Sequence, residues 1–215
     1  MTIEARYSPG EEIANSLTHG IGILLSIGGL GVLTAFASVF GNARHIVGVS
    51  IFGFTMVLLY TSSTLYHSIP IPRVKSILRL IDHSAIFLLI AGTYTPFTLI
   101  TLQGPWGWTL FGIVWTVAAA GIIFQTNLIQ RFPIISVVLY ILMGWVVVVA
   151  IKPLMERIAP GGLALLFGGG VSYTFGVLFY AWRNLPYHHA VWHLFVLGGT
   201  VLHYFAVLLF VIPVS

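Results

Sequence analysis

Seven apolar stretches fill most of this chain, each near the roughly 20 residues that an α-helix needs to cross the hydrocarbon core of a bilayer. They run approximately from Ile13 to Phe40, Ile46 to Ser68, Leu78 to Leu102, Trp106 to Gln125, Pro133 to Ile151, Gly161 to Trp182 and Ala190 to Pro213. Short breaks between them hold nearly all of the charges and turn residues. In lipid every backbone N–H and C=O must find a partner inside the protein, which admits only helices and closed barrels. These runs are too long for the alternating strands of a barrel. The expectation is one all-α integral membrane domain over residues 1–215, a multi-pass seven-transmembrane-helix bundle lodged in a lipid bilayer, in the cell membrane.

Composition closes off several other functions. With 58% apolar and 7% charged residues, the chain lies outside the range of soluble domains. Nine Lys and Arg stand against five acids, but they are scattered through the breaks and form no basic face for nucleic acid. There is no cysteine, hence no disulfide, thiolate ligand or thiol nucleophile. Ala35-Phe36-Ala37 has the form of a signal-peptidase site, yet the preceding apolar run is longer than a signal core, and Glu4, Glu11 and Glu12 outweigh Arg6 before it. The first stretch reads as a retained helix.

Basic residues in the breaks set the expected orientation. Arg6, Arg73, Lys75, Arg79, Arg131 and Arg183 fall on one side, and Arg44, Lys152 and Arg157 on the other. That asymmetry places the N-terminus in the cytoplasm and the C-terminus outside. Glycines within the stretches, at Gly28, Gly29 and Gly31, at Gly168 to Gly170 and at Gly198-Gly199, read as sites of close helix packing. No glycine-rich phosphate loop is present.

Because successive helices alternate direction, the end of the second and the starts of the first, third and seventh share one membrane face. His67, His19, Asp82, His83, His189 and His193 all fall there. His189 and His193, four apart, stand one turn above the other on a single helix face. With His67 they make a three-imidazole set for one metal ion, leaving a fourth tetrahedral position for water. Nitrogen ligands favour zinc over Mg²⁺ or Ca²⁺.

Asp82 is the one acid inside an apolar stretch, and a carboxylate there needs a cation or hydrogen-bond donors. Arg79 on the same helix face is one partner; a place beside the metal, holding its water or a ligand imidazole, is the other. Ser63 lies one turn before His67, either bonded to its own helix or offered to the site. Asn15 and His19 fit a supporting hydrogen-bond network or simple packing. His83 turns about 100° from Asp82, His188 falls in the loop after Pro186, and His203 lies about 15 Å along the helix from His193.

The combination Ser63-x-x-x-His67, Asp82 and His189-x-x-x-His193 resembles the signature shared by the hemolysin III proteins, the progestin and adipoQ receptors and the alkaline ceramidases. The run Glu11-Glu12-Ile13-Ala14-Asn15-Ser16-Leu17-Thr18-His19-Gly20 is similar to the entry of the first helix in the hemolysin III branch. The resemblance implies seven helices with a cytoplasmic N-terminus and an intramembrane zinc on His67, His189 and His193, with Asp82 and Ser63 beside it as catalytic groups. It also implies hydrolysis of a lipid amide or ester and a part in membrane lipid homeostasis. Two other readings stand next to a lipid acyl-amide hydrolase. One is a non-catalytic sensor or receptor-like protein with structural zinc. The other is a pore-forming hemolysin, against which counts the lack of charged rings along several stretches. A haem on paired histidines would show a Soret band. A retinal Schiff base is disfavoured, since Lys75 and Lys152 lie outside the stretches.

Overall fold

The computed structural model describes residues 7–125 and 133–212, among which seven helices are long and apolar enough to cross a membrane. They are α1 (Pro9–Phe40), α2 (Ala43–Ser68), α3 (Pro72–Leu102), α4 (Gly104–Phe124), α5 (Ile134–Met155), α6 (Pro160–Ala181) and α7 (His188–Phe210). Four residues of the sequence argument, Glu4, Arg6, Arg131 and Pro213, lie outside the described residues.

Several helices begin earlier than their apolar runs, because a cap marks where a helix starts while hydropathy marks where lipid starts. At α1 the Ser8 hydroxyl accepts the Glu11 N–H at 3.3 Å and the Glu11 carboxylate accepts the Ser8 N–H at 2.8 Å. This capping box, with Pro9 in the first turn, carries α1 back to include Glu11 and Glu12. At α2 the Asn42 side chain accepts the Arg44 N–H at 2.9 Å. At the other end, α5 continues past Ile151 to Met155, so Lys152 lies in its last turn and not in a connection.

α3 is the inner helix: 72% of its most apolar window is buried in protein, against 22% for α1. α1 is accordingly turned inside out for a soluble protein. It buries Asn15, His19, Gly22 and Ser26 while Ile13, Leu17, Ile21 and Leu24 face outward, as lipid demands. Close approaches are made where a side chain would not fit. A Cβ on Gly92 of α3 would collide with Thr55 of α2, and one on Gly199 of α7 would lie 3.0 Å from the Gly169 carbonyl of α6. Gly28 and Gly31, by contrast, meet nothing and face outward, so only Gly29 of that group packs, against Tyr204.

Two irregularities shape the interior. Past Pro96, α3 widens into a π-turn over Phe97–Leu102, ending at Gln103 with φ 48° and Gly104 with φ 55°. α5 tightens to 3₁₀ geometry over Val146–Ala150, and Tyr94 of α3 bridges the break. Its hydroxyl donates to the Gly144 carbonyl at 2.6 Å and accepts the Val147 N–H at 2.9 Å, satisfying groups that lipid could not.

Candidate metal centre

α7 starts abruptly, because Tyr187 adopts the left-handed conformation (φ 57°) and the helix begins at His188. His188 is therefore a helical residue and not part of the preceding loop; its Nδ1 lies 3.1 Å from the Phe179 carbonyl. This start puts His189 and His193 one turn apart on the buried face, opposite the last turn of α2. One ring nitrogen from each of His67, His189 and His193 lies within 4.8 Å of the others, and all three side chains are buried. Ring centroids are separated by 5.0 Å (His67 to His189), 5.2 Å (His67 to His193) and 4.6 Å (His189 to His193).

Hydrogen bonds on the far side of the His67 and His193 rings fix which nitrogen is free there. His67 Nδ1 donates to Glu12 Oε2 at 2.6 Å, and Glu12 Oε1 holds Lys75 Nζ at 2.9 Å. His193 Nδ1 donates to the Asn15 carbonyl at 3.2 Å and to Thr18 Oγ1 at 3.1 Å. With His189 in the same tautomer as those two rings, its Nδ1 donates to the Tyr7 hydroxyl at 2.9 Å. Burial pushes the Tyr7 phenol above its ordinary range, so it remains a neutral hydroxyl beside His189. With every Nδ1 carrying the proton, every Nε2 presents a bare lone pair. All three Nε2 atoms are buried and lack a hydrogen-bond partner.

Three orphaned imidazole acceptors at one point are costly unless a cation takes them. The residues therefore fit a transition metal: three neutral nitrogen donors, each oriented by an outer hydrogen bond, as metal-ligating histidines are. No carboxylate belongs to the set, which disfavours Mg²⁺ and Ca²⁺.

Around this point the structure separates the other polar residues. Ser63 Oγ is buried without a partner, whereas its neighbour Ser62 donates to the Leu59 carbonyl at 2.9 Å. Of the two serines the uncommitted one is thus Ser63; Thr64 Oγ1 beside it is likewise buried without a partner. Asp82 is buried and lies 3.4 Å from His83 Nδ1, so His83 touches it despite the helical offset expected from adjacent positions. His83 Nδ1 also lies 2.9 Å from the Arg79 carbonyl. His19 stacks on His193 with centroids 3.5 Å apart and planes 10° from parallel, and neither of its nitrogens has a partner. His203 stands apart, bonded through Nε2 to the Leu166 carbonyl at 2.9 Å.

Asp82 and His19 form one end of a cavity of 140 Å³ that continues to Leu102, Leu110 and Leu154 at the other. The α3 residues along it run from Asp82 to Leu102, about 30 Å of helix, so the cavity is long and narrow.

Glu12, Tyr7, Thr18 and Lys75 are the contributors that the sequence argument did not single out. Glu12 had a detectable signal: with Asn15 and His19 it lies on one helical face, at offsets of three and seven residues. A capping box beginning at Ser8 would have brought it into the helix.

The fold and this trio define a multi-pass membrane protein carrying a buried three-histidine site at one end of its bundle. Residues 7–204 match the family described as haemolysin-III related. The chain is 52% identical over 205 residues to "Hemolysin-3" of Bacillus cereus, covering 95% of this chain and 94% of that one. It is 51% identical over 204 residues to "Hemolysin-3 homolog" of Bacillus subtilis (strain 168), covering 95% and 96%. A more distant similarity, 26% over 210 residues, links it to human "Monocyte to macrophage differentiation factor", covering 94% and 86%. This chain belongs to the haemolysin III family.

Proposed function

We propose that this protein is a zinc-dependent intramembrane hydrolase acting on an amide or ester bond of a membrane lipid, with a part in membrane lipid homeostasis. The observation that carries this reading is the trio of buried, unpartnered Nε2 atoms on His67, His189 and His193. Bound there, zinc would supply Lewis acidity, polarising an acyl carbonyl and lowering the pKa of water toward about 7. The chain's own residues divide the remaining work. Glu12, Tyr7 and the Asn15 carbonyl hold the three rings with Nε2 turned inward. Asp82 accepts a proton from the attacking water and returns it to the departing amine or alkoxide as the acyl C–N or C–O bond breaks. Ser63 donates a hydrogen bond to the acyl oxygen as it becomes negative. The acyl chain lies in the apolar cavity that leads from Asp82 toward Leu102, away from water. The N-terminus is cytoplasmic in this reading, with the site near that face.

One observation favours a second reading. α1 packs against both α2 and α7, and a metal on the trio would tie those two helices together directly, as a purely structural ion could. The two readings separate on one variant. Metal analysis of purified protein, followed by a screen for fatty-acid release from lipid amides and esters, gives the test. Asp82→Asn with zinc retained and turnover reduced about 100-fold or more supports chemistry. Wild-type turnover in that variant supports structure. No metal in the wild-type protein, or unchanged turnover in His193→Ala, overturns the hydrolase.

A further inference from the structure

Two glycines line the apolar cavity, Gly144 of α5 and Gly170 of α6, and each stands at the centre of the face its helix turns toward it. Around Gly144 the lining residues are Tyr140 and Ile141, four and three positions earlier, and Val147, three later. Around Gly170 they are Leu166 and Phe167 on one side and Tyr173 and Thr174 on the other, again at offsets of three and four. Neither glycine is needed for helix packing. A Cβ on Gly144 would meet nothing within 4 Å beyond its own turn, and one on Gly170 would lie 3.7 Å from the Trp145 ring, an ordinary contact. Gly92, Gly169 and Gly199 differ, because a Cβ there would collide with a neighbouring helix. Gly28 and Gly31 are as free as Gly144, but they face outward. Glycine weakens a helix interior relative to alanine. What Gly144 and Gly170 preserve is open space inside the cavity.

The two lie at one depth. The Tyr94 hydroxyl donates to the Gly144 carbonyl, and Gly170 faces the ring of Trp145, so both are level with Tyr94 of α3. Tyr94 is about 18 Å of helix from Asp82, and Leu102 about 30 Å. An extended chain built from C–C bonds of about 1.5 Å advances about 1.25 Å per carbon, which puts the glycines about 14 carbons from the polar end and the leucine floor about 24. The polar side chains at this level are already committed. Thr93 donates to the Leu89 carbonyl at 2.8 Å, Thr174 to the Gly170 carbonyl at 2.8 Å, and the Trp145 indole to Thr174 at 3.0 Å. The wall there offers carbon to carbon.

We propose that Gly144 and Gly170 determine the acyl-chain length this protein accepts, by leaving open the passage through which the distal part of a long chain reaches the floor at Leu102 and Leu110. The proposal rests on the reading of the cavity as the place of an acyl chain, and does not depend on hydrolysis. A side chain at either glycine fills the passage without displacing protein, and leaves room only for chains that end before it.

The test compares dodecanoate, which ends short of the pair, with octadecanoate, which passes it. Displacement of a fluorescent fatty acid from zinc-loaded protein in nanodiscs reads both affinities, each corrected for partition of the acid into protein-free nanodiscs. Wild-type protein holds the two acids equally. In Gly144→Leu and in Gly170→Leu, octadecanoate weakens by about tenfold relative to dodecanoate, the cost of overfilling a packed space, while dodecanoate affinity and zinc content stay at the wild-type level. An unchanged ratio in either folded variant overturns the proposal, as does equal loss of both acids. Should neither variant fold, the wild-type protein decides. Octadecanoate carrying a diazirine beside its methyl end cross-links to Phe97–Leu102, beyond the pair; cross-links confined to the stretch between Asp82 and Tyr94 overturn the proposal. If no acid displaces the probe, the acyl-cavity reading falls with the passage. If the length preference is present and turnover is absent, the hydrolase falls and the passage stands.

Discussion

His193 and His203 sit on the same helix, both buried, both donating to a backbone carbonyl of a neighbouring helix, and they present opposite nitrogens. His193 gives its Nδ1 hydrogen to Asn15 of α1 and leaves Nε2 bare; His203 gives its Nε2 hydrogen to Leu166 of α6 and leaves Nδ1 bare. The first half of α7 therefore projects a lone pair at the ring's far end, where two other imidazoles meet it. The second half keeps its lone pair close to the helix, where, among the described residues, no other imidazole joins it in a metal-holding group. The same side chain becomes a metal ligand or a hydrogen-bond acceptor according to which nitrogen the adjacent carbonyl takes.

The contrast breaks most simply by removing each ring. In His193→Ala two imidazoles remain, and zinc content of the purified protein falls from about one per chain to near zero. In His203→Phe, an aromatic of similar shape, zinc content stays at the wild-type level. Elemental analysis of both variants decides. Equal loss of metal from the two would mean that the lower half of α7 takes part in the metal centre and that the division is wrong.

A smaller effect sharpens the same division, since the first half of α7 depends on partners from elsewhere in the chain. Glu12 accepts the His67 Nδ1 hydrogen and is itself held by Lys75. Glu12→Ala removes a charge-assisted bond, and zinc affinity measured by competition with a chelator drops by about 100-fold, the upper end for outer partners of a ligating histidine. Unchanged affinity would mean that the Nδ1 contacts do not orient the rings.

Much of this was readable before any coordinates. Seven apolar runs fix seven helices because the bilayer leaves the backbone no alternative. The spacing of His189 and His193, together with alternating helix direction, brings His67 to them. What could not be read lies in groups without a side-chain signature. The Asn15 carbonyl that orients His193 is backbone, and the Leu166 carbonyl that sets the tautomer of His203 belongs to a helix packed beside it through glycine. Glu12 was hidden differently, since hydropathy begins the first stretch at Ile13 while the Ser8 cap begins the helix at Pro9. The cavity is assembled by residues from all seven helices, none of which alone carries a pattern. Of the glycines, only those whose face meets another helix, such as Gly199 and Gly169, pack closely. Gly28 shows that composition alone does not say which.

The smallest expected effect is at Tyr7, which lies before α1 and closes the site from outside the helices. Its ring contacts those of His67 and His188, with centroids 5.9 Å away, and that of His189 at 4.9 Å, while its hydroxyl accepts the His189 Nδ1 hydrogen. Tyr7→Phe keeps the ring and its packing and deletes only that acceptor. A neutral acceptor contributes less than the Glu12 carboxylate, so zinc affinity falls by about tenfold, the low end of the range for outer partners. The same chelator competition measures it, and the ordering is what matters. A Tyr7→Phe loss larger than that of Glu12→Ala would place the controlling contact at α7 and its N-terminal cover. Glu12 of α1 and Lys75 of α3, which hold His67 at the end of α2, would then be secondary.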